Sequence, residues 1–353
     1  MRKVLPVEHD AYKEAGVDID AAMKTKRHIR DLVRSTFRPE VLSDIGAFGG
    51  LFKPDFTGYK NPVLVSSADG VGTKLKVAIM TNRHDTVGAD IVNHCCNDIL
   101  VMGAAPLFFL DYLAYSRHED AMVNSIISGM SKACRENKCA LIGGEMAELP
   151  DVYYPGEYDL AGVIVGVVEQ DTILDGSRTA EGDVILGLAS TGLHTNGYTL
   201  ARKLVFQTAG LKPEDLLPGT DTSVADVLLA VHRSYGPSVI PFLHTPGLHA
   251  LAHITGGGFT GNIDRTLPGH LDALIDPDSW ETPPLFRFLV ETGDLSEAES
   301  YRTFNMGIGM TLTVAPSDAE QITEQMKKGG ERVYRIGEIA AGSKKVRLVH
   351  KKR

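Results

Sequence analysis

The segment 63–74, with the sequence VLVSSADGVGTK, contains the residues of this chain that are best suited to chemistry. An apolar run leads to the carboxylate of Asp69, a Gly-Val-Gly turn follows, and Lys74 ends the segment. A carboxylate is a hard oxygen ligand, glycines let backbone amides approach an anion, and lysine adds positive charge. These are the requirements of a magnesium-bound polyphosphate, although Asp-Gly is also a common signal for an ordinary hairpin turn.

Two further acids lie in or beside predicted elements. Asp98 falls in a predicted helix over 85–102, and Glu145 follows two glycines after a predicted strand over 139–142. Magnesium that carries a nucleotide takes carboxylates from separate elements that meet at one edge of a fold. We therefore expect Asp69, Asp98 and Glu145 to share a metal. The alternative for Glu145 is an exposed position after a simple bend.

The predicted helix over 85–102 also carries a polar stripe beside its apolar one. Asp90, His94, Asn97 and Asp98 are spaced so that they share one helix face. Such a stripe is commonly solvated, but this helix lacks the Lys/Glu pairs of an exposed surface. The spacing therefore favours side chains that point at one place.

Three segments are candidate anion sites, and the opening motif 69–74 is one of them. The stretch 46–52, with Gly49 and Gly50, could also bring its backbone close to a ligand, although glycine clusters are often only loops. The segments 191–198 and 254–262 each follow a predicted strand and lead towards a helix, where free amides favour an anion. More than one such site suggests more than one phosphate-bearing ligand.

The chain lacks several common catalytic signatures. It contains no P-loop GxxxxGK[ST], no GxSxG and no paired-cysteine or HExxH zinc motif. Four cysteines form no CxxC pair, and we interpret them as reduced core thiols. They are Cys95, Cys96, Cys134 and Cys139.

Length and charge limit the class of protein. The 353 residues suit two domains, and a net charge of −9 argues against nucleic acid as a partner. The start has no signal-like apolar region, and no run of about 18 apolar residues predicts a membrane span. We expect a cytoplasmic protein without a membrane partner.

The predicted elements interleave strands and helices, which indicates an α/β fold. Asp20 is the predicted N-cap of a helix that Pro39 stops, after a mobile leader over 1–19. A polar stretch at 170–182 places a boundary between domains 20–172 and 173–353. Strands are predicted at 107–112, 139–142, 158–168, 183–188, 251–254, 307–314, 333–339 and 345–349, and helices at 85–102, 121–135, 197–206, 223–231 and 318–328.

Six ordered motifs resemble those of the phosphoribosylformylglycinamidine cyclo-ligase family, also called aminoimidazole ribonucleotide synthetases. They are DGVGTK at 69–74, ND at 97–98, GGEMAELP at 143–150, DGS at 175–177, TGLHTNGYTLARK at 191–203 and HITGGGFTGNIDR at 253–265. The resemblance runs from about residue 11 to residue 339. It implies ATP- and magnesium-dependent cyclisation of formylglycinamidine ribonucleotide to aminoimidazole ribonucleotide, with release of ADP and phosphate, in purine biosynthesis.

The resemblance also implies an architecture. Members of that family form homodimers in which the sheet of the N-terminal α/β domain pairs with the sheet of a second subunit to make a barrel. The C-terminal domain is α/β with a mixed sheet. The ATP site is expected in the cleft between domains and near the dimer interface.

Matched motifs suggest residue roles. The expected catalytic set is Asp69, Lys74, Asp98, Glu145 and His194, in which the three acids hold magnesium, Lys74 offsets phosphate charge and His194 is a candidate proton carrier. The expected nucleotide contacts are Gly49, Gly50, Asp69, Gly70, Val71, Gly72, Thr73, Lys74, Asn97, Asp98, Gly143, Gly144 and Glu145. The expected substrate contacts are His194, Thr195, Asn196, Thr255, Gly256, Gly257 and Gly258.

The sequence departs from the common family pattern at three positions. Met146 and Leu149 replace the more usual Thr and Met, which puts any role of residue 146 in doubt, and Thr195 stands where Ser is frequent.

One rival is another ATP-using member of the superfamily, such as thiamine-monophosphate kinase, selenophosphate synthetase or formylglycinamidine synthetase. A rival of a different class is a nucleotide-binding dimer without catalysis.

Overall fold

The computed structural model describes residues 19–350, and the chain folds there around two mixed sheets. In the first half the elements are α1 (Ile19–Arg34), β1 (Pro62–Gly70), α2 (Leu75–Thr81), α3 (Asp85–Leu100), β2 (Ala105–Tyr115), α4 (Asp120–Glu136), β3 (Ala140–Glu148) and β4 (Tyr158–Glu169). A 3₁₀ turn, Gly72–Lys74, joins β1 to α2. The predicted leader lies outside the described residues except for Ile19, where α1 begins one residue before the predicted cap.

The second half follows after residues 170–183. Its elements are β5 (Val184–Ala189), α5 (Tyr198–Arg202), α6 (Val224–Leu228), α7 (Gly236–Val239), β6 (Leu248–His253), α8 (Thr260–Ile263), β7 (Leu271–Ile275), α9 (Pro284–Gly293), α10 (Glu297–Thr303), β8 (Ile308–Val314), α11 (Pro316–Lys328), β9 (Val333–Ala341) and β10 (Val346–Leu348). Within residues 19–350, no helix combines the length and apolar character that crossing a bilayer requires.

The first sheet has the strand order β1-β4-β2-β3, with only β2 and β3 parallel. One of its faces packs on α3, because a Cβ at Gly162 of β4 would approach Ile91 of that helix. The opposite face leaves large apolar side chains open: Leu64, Tyr112 and Val163 are 61%, 41% and 37% exposed. An exposed apolar surface on a sheet marks a face that another element or chain covers.

Helices α3 and α4 touch through glycines. A Cβ at Gly88 would lie 2.0 Å from the carbonyl oxygen of Ile126, and one at Gly129 would lie 1.9 Å from that of Asp85. Neither helix has room for a side chain at this crossing. The contact fixes α3, and therefore its polar face, against the rest of the first half.

The second sheet has the order β10-β7-β9-β5-β8-β6. Its pairs are antiparallel except for β10 with β7, so the predicted mixed sheet is confirmed. Sequence reasoning missed β7, α9 and α10. It also ended the strand of β3 too early, since β3 continues to Glu148 and Glu145 lies inside it rather than after it.

Helix α10 is missed although its start is marked in the sequence. Ser296 accepts a hydrogen bond from the backbone N–H of Glu299, and the Glu299 carboxylate accepts one from the backbone N–H of Ser296. This capping box satisfies two amides that the first turn leaves free. The S-x-x-E spacing at 296–299 was the available signal.

We expect Ser296→Ala to lower the free energy of unfolding by about 1 kcal/mol, the usual cost of losing an N-cap hydroxyl. Urea denaturation measures it. Ser317→Ala is the control, because that hydroxyl lies in the first turn of α11 and bonds only to the neighbouring Asp318 carboxylate. It should change stability by less than about 0.5 kcal/mol. Equal effects of the two changes would contradict the capping role.

Candidate active site

The polar face of α3 meets three segments of the second half at the junction between the two sheets. The loop after β5 contributes His194 and Thr195, the end of β6 contributes His253, and the irregular segment 230–235 contributes His232. Asp69, the penultimate residue of β1, reaches the same place. The junction therefore gathers chemistry-bearing side chains from both halves.

His94 lies between two carboxylates. Its Nε2 is 2.9 Å from Asp69 Oδ2 and 3.5 Å from Asp98 Oδ2. Burial disfavours the charged ring, but hydrogen bonds to Asp69 and Asp98 outweigh it and raise the pKa of His94 to about 9. The ring is therefore a buried cation at neutral pH, and it draws the two acids together.

Asp98 is the most connected carboxylate of the site. Its Oδ1 lies 2.9 Å from His253 Nδ1, and its Oδ2 accepts a bond from the Ser67 hydroxyl at 3.1 Å. Burial would raise the pKa of Asp98, yet hydrogen bonds from His253 and His94 dominate and hold that pKa far below its ordinary value. The acid is ionised at every physiological pH.

A closed ring of hydrogen bonds links the halves. His94 Nδ1 lies 2.6 Å from the Thr195 hydroxyl, which lies 3.2 Å from His232 Nδ1. His232 Nε2 is 2.9 Å from His253 Nε2, and His253 returns to Asp98. Burial lowers the pKa values of His232 and His253. Each neutral imidazole can therefore donate from one nitrogen and accept at the other within this cycle of hydrogen bonds.

His194 is held in a strained position. Its φ of 61° is left-handed, which is unusual for a residue with a side chain. The ring is fully buried and stacks on His232 with centroids 4.1 Å apart. Its Nε2 accepts a hydrogen bond from the backbone N–H of Thr191 at 3.3 Å, while Nδ1 has no partner among residues 19–350. Burial holds the pKa of His194 well below its usual value.

The glycine loop 255–258 is fixed by one amide. The Asn262 side chain donates to the carbonyl of Gly258 at 2.7 Å and lies within hydrogen-bond range of two earlier carbonyls of the loop. Gly258 has a φ of 61°, and a Cβ there would lie 1.9 Å from the carbonyl oxygen of Tyr301. Asn196 faces the loop, 3.4 Å from where a Cβ of Gly256 would lie. The two predicted substrate segments are thus neighbours.

Lys74 and Asn97 contact protein groups rather than an open pocket. The Lys74 ammonium is fully buried, lies 2.6 Å from Asp90 Oδ2 and donates to the carbonyl of Ala230 at 2.7 Å. Burial lowers the pKa of Lys74, and Asp90 opposes that shift. Asn97 donates to the carbonyl of Arg233 and accepts the backbone N–H of Tyr235. These contacts join the two halves and leave neither side chain free for a phosphate.

The rest of the opening motif forms the turn that leads from β1 to α2. Gly70 ends the strand, Val71 is fully buried, and Gly72 has a left-handed φ of 70°. The Thr73 hydroxyl lies 3.0 Å from that of Thr199, across the junction. The glycines therefore serve a close turn beside Asp69.

Glu145 does not join Asp69 and Asp98 within this chain. The pairing Asp69↔Gly162, Gly162↔Asp111 and Asp111↔Gly144 places these residues in one row across four strands. Three strand spacings of about 4.8 Å separate β1 from β3, or about 14 Å. Glu145 is one residue beyond Gly144, so its side chain leaves the sheet on the opposite, exposed face. A three-acid site in one subunit is therefore wrong.

A separate cavity of about 590 Å³ lies beside β3. Its wall includes Gly49, Gly50, Gly143, Gly144 and Glu145, so two predicted nucleotide segments line one space. A Cβ at Gly50 would lie 2.8 Å from Ile142, so the loop can rest on the strand at this position only with a glycine.

Sequence reasoning missed Asp111, which lines this cavity. In the strand order it lies between Asp69 on β1 and Glu145 on β3. A Cβ at Gly144 would lie 2.1 Å from Asp111 Oδ1, so the glycine makes room for this carboxylate. Surrounding protein and the charge of Glu145 raise the pKa of Asp111 to about 7. The signal in the sequence was an acid inside a strand of apolar residues at 105–115. His232 and His253 had no such local signal.

Asp69 and Asp98 form a donor set that fits magnesium. Their oxygens converge on one point that His94 already marks as favourable for positive charge, and Asp69 remains 44% exposed. Carboxylate oxygens are the ligands Mg²⁺ prefers. His94, Asp98 and His253 also bring ligand atoms within 4.8 Å of one another, but each of these imidazoles is already hydrogen-bonded within the ring.

Family models and relatives agree along the chain. The AIR synthase related protein N-terminal and C-terminal domain models match residues 56–168 and 180–350. Curated relatives named phosphoribosylformylglycinamidine cyclo-ligase include those of Geotalea uraniireducens (50% identity, 96% of this chain and 98% of the relative) and Brevibacillus brevis (46%, 96% and 97%).

Solved structures share the fold at low identity. Thiamine-monophosphate kinase from Stenotrophomonas maltophilia has a TM-score of 0.67 and 21% identity, covering 94% of this chain and 96% of that one. Hydrogenase maturation protein HypE in complex with ATP has a TM-score of 0.68 and 17% identity, covering 95% and 93%. The rival superfamily members are therefore distant, and the chain belongs to the AIR synthase related family as a member of its phosphoribosylformylglycinamidine cyclo-ligase group.

Proposed function

We propose that this protein cyclises formylglycinamidine ribonucleotide to aminoimidazole ribonucleotide with ATP, in the purine pathway of the cytoplasm. The observation that carries the proposal is the meeting of Asp69 and Asp98 with the loops of His194 and Gly256 at one junction. The names of relatives about 50% identical over 96% of the chain supply the substrate.

The reaction needs activation of a poor leaving group. The formyl oxygen takes the γ-phosphoryl group of ATP, so the O–P bond forms as the bond to ADP breaks. The amidine nitrogen then attacks the activated carbon, the C–O bond breaks, and phosphate leaves as the nitrogen loses a proton. The protein's task is to align the reactants and neutralise charge.

Residues at the junction suit the substrate side of this task. Asn196 faces the glycine loop, whose amides at 255–258 would hold the substrate phosphate. Thr195 precedes it, with its hydroxyl bonded to His94 and His232. The His194 ring is fully buried and its Nδ1 lies beside Gly309 of β8, so its proton exchange with the closing amidine stays a prediction that requires the loop after β5 to open.

The nucleotide would lie along the row from β3 to β1. The cavity beside Gly49, Gly50, Gly143 and Gly144 offers room for it, and the row ends about 14 Å away at Asp69. Asp69 and Asp98 would hold magnesium. When bound, the ion neutralises phosphate charge in the transition state. Glu145, which lines the cavity, would contact the nucleotide there.

The open face of the first sheet supports a homodimer. Leu64, Tyr112 and Val163 make it apolar, and covering it with the same face of a second copy would bury it and bring Glu145 to the interface. Pairing of the two sheets there would close the barrel that the family resemblance implies.

We expect Val163→Arg to convert a dimer into a monomer, because a buried unpaired charge at the centre of an apolar interface is strongly unfavourable. Analytical ultracentrifugation measures the state. Val152→Arg is the control, since Val152 is 68% exposed and lies outside the sheet. A monomeric wild-type protein, or a dimer that tolerates Val163→Arg, would contradict the interface.

The activity is tested by substrate dependence. Purified protein should release phosphate from ATP only when formylglycinamidine ribonucleotide and Mg²⁺ are both supplied, with aminoimidazole ribonucleotide formed in equal amount. Thiamine monophosphate is the comparison substrate. Turnover of it, with none of the purine intermediate, would overturn the proposal in favour of a kinase; no turnover of either would favour a binding protein.

A further inference from the structure

Residues 230–235 of the second half form an irregular segment, here called the strap, that lies on α3. Its backbone is held by side chains of the first half at successive positions. Lys74 donates to the carbonyl of Ala230, and Asp90 Oδ1 accepts the backbone N–H of His232 at 2.7 Å. Asn93 donates to the carbonyl of His232 at 2.8 Å. The strap itself contains no helix or strand.

The next residues of the strap are held in the same way. Asn97 donates to the carbonyl of Arg233 at 2.8 Å and accepts the N–H of Tyr235 at 2.9 Å. The Ser234 hydroxyl donates to Asn137 at 2.6 Å. Three of the side chains that hold the strap, Asp90, Asn93 and Asn97, come from one helix and are at most 4% exposed. Buried polar groups with such complete partners specify one arrangement.

The residue at the centre of the strap is His232. Both of its backbone groups are held by α3, and its ring is fully buried. One ring nitrogen contacts the Thr195 hydroxyl, the other contacts His253, and one ring face stacks on His194. His194 and Thr195 belong to the segment that the proposed function assigns to the substrate, and His253 is bonded to Asp98, which it assigns to magnesium.

We infer that the strap makes His232 a positioning residue for the phosphoryl-transfer and cyclisation site, and that Lys74, Asp90, Asn93 and Asn97 act through it. This inference rests on the proposed function. A rigid strap sets the place of Thr195, His253 and His194 relative to Asp98. Errors of a fraction of an ångström at such groups lower turnover steeply, whereas a nucleotide bound at β3 would not feel them.

The test is a double-mutant cycle on His232→Phe and Asn97→Ala. Phe keeps the stacked ring and removes both nitrogens. We expect each single change to lower kcat about 10-fold to 100-fold while KM for ATP stays within about 2-fold. If Asn97 acts through His232, the double variant should turn over no more slowly than the slower single variant.

The control removes a different contact between the halves. Arg83 pairs with Asp226 at 2.6 Å on the surface, away from the strap, and Arg83→Ala should leave kcat unchanged. If the Asn97→Ala protein does not fold, Asn93→Ala takes its place in the double-mutant cycle, because it removes one bond to the strap, the one to the carbonyl of His232. Circular dichroism reports folding.

The outcomes separate the two proposals. Wild-type protein without turnover contradicts the proposed function. Wild-type turnover with kcat unchanged in His232→Phe contradicts the inference alone. If the fold-reductions in kcat of the two single variants multiply in the double variant, Asn97 does not act through His232. If KM for ATP rises by as large a factor as kcat falls, the strap also affects nucleotide binding, which contradicts the inference.

Discussion

Asp98→Asn should lower kcat by about 10²-fold to 10³-fold, the range seen when one preorganised charge that stabilises a transition state is removed. Asparagine keeps the size of the side chain but removes the negative charge. One carboxylate would be lost from the pair around His94, and both His94 and His253 would lose an ionised partner. Steady-state phosphate release with the purine intermediate measures the effect.

The magnesium dependence of Asp98→Asn distinguishes two roles of the acid. A ligand of the metal should show a higher half-saturating Mg²⁺ concentration, whereas a residue that only orients imidazoles should not. Asp171→Asn is the matched control, because Asp171 is exposed and lies beyond the far end of β4. Activity of Asp98→Asn within about 2-fold of wild type would refute the central place of this carboxylate.

Local signals in the sequence located much of the candidate site. Asp69 and Asp98 were found because glycines and apolar periodicity define the strand and helix that carry them, and these elements are local. The burial of Asp90 and Asn97 followed from a helix face without Lys/Glu pairs. All four cysteines are buried and free, as predicted.

Non-local geometry decided the rest. Whether Glu145 meets Asp69 depends on strand order and on a register in which one residue reverses the face. Lys74 was expected at a phosphate because lysine after glycines favours that role. Its ammonium instead pairs with Asp90 and donates to the carbonyl of Ala230 in the strap, which lies 156 residues away along the chain. His232 lies in a segment without periodicity, so only the folded chain reveals its partners.

Gly88→Ala should lower the free energy of unfolding by about 2 kcal/mol. Alanine is better than glycine inside a helix by about 1 kcal/mol. The new methyl group would lie 2.0 Å from a backbone oxygen of α4, which cannot rotate away. Overpacking that moves backbone typically costs about 1–3 kcal/mol, and so short a contact belongs at the upper end of that range. The steric cost therefore exceeds the gain in propensity. Urea denaturation measures the difference.

Gly269→Ala is the control for Gly88→Ala, since no heavy atom lies within 4 Å of its added Cβ and its backbone is not left-handed. It should be neutral or slightly stabilising. Because α3 carries Asp90, His94 and Asp98, the shift that relieves Gly88→Ala also moves the acids relative to the second half. Turnover should then fall in the folded Gly88→Ala protein. Full activity with full stability would mean that α3 and α4 separate without cost, and that the polar face of α3 is not held by this crossing.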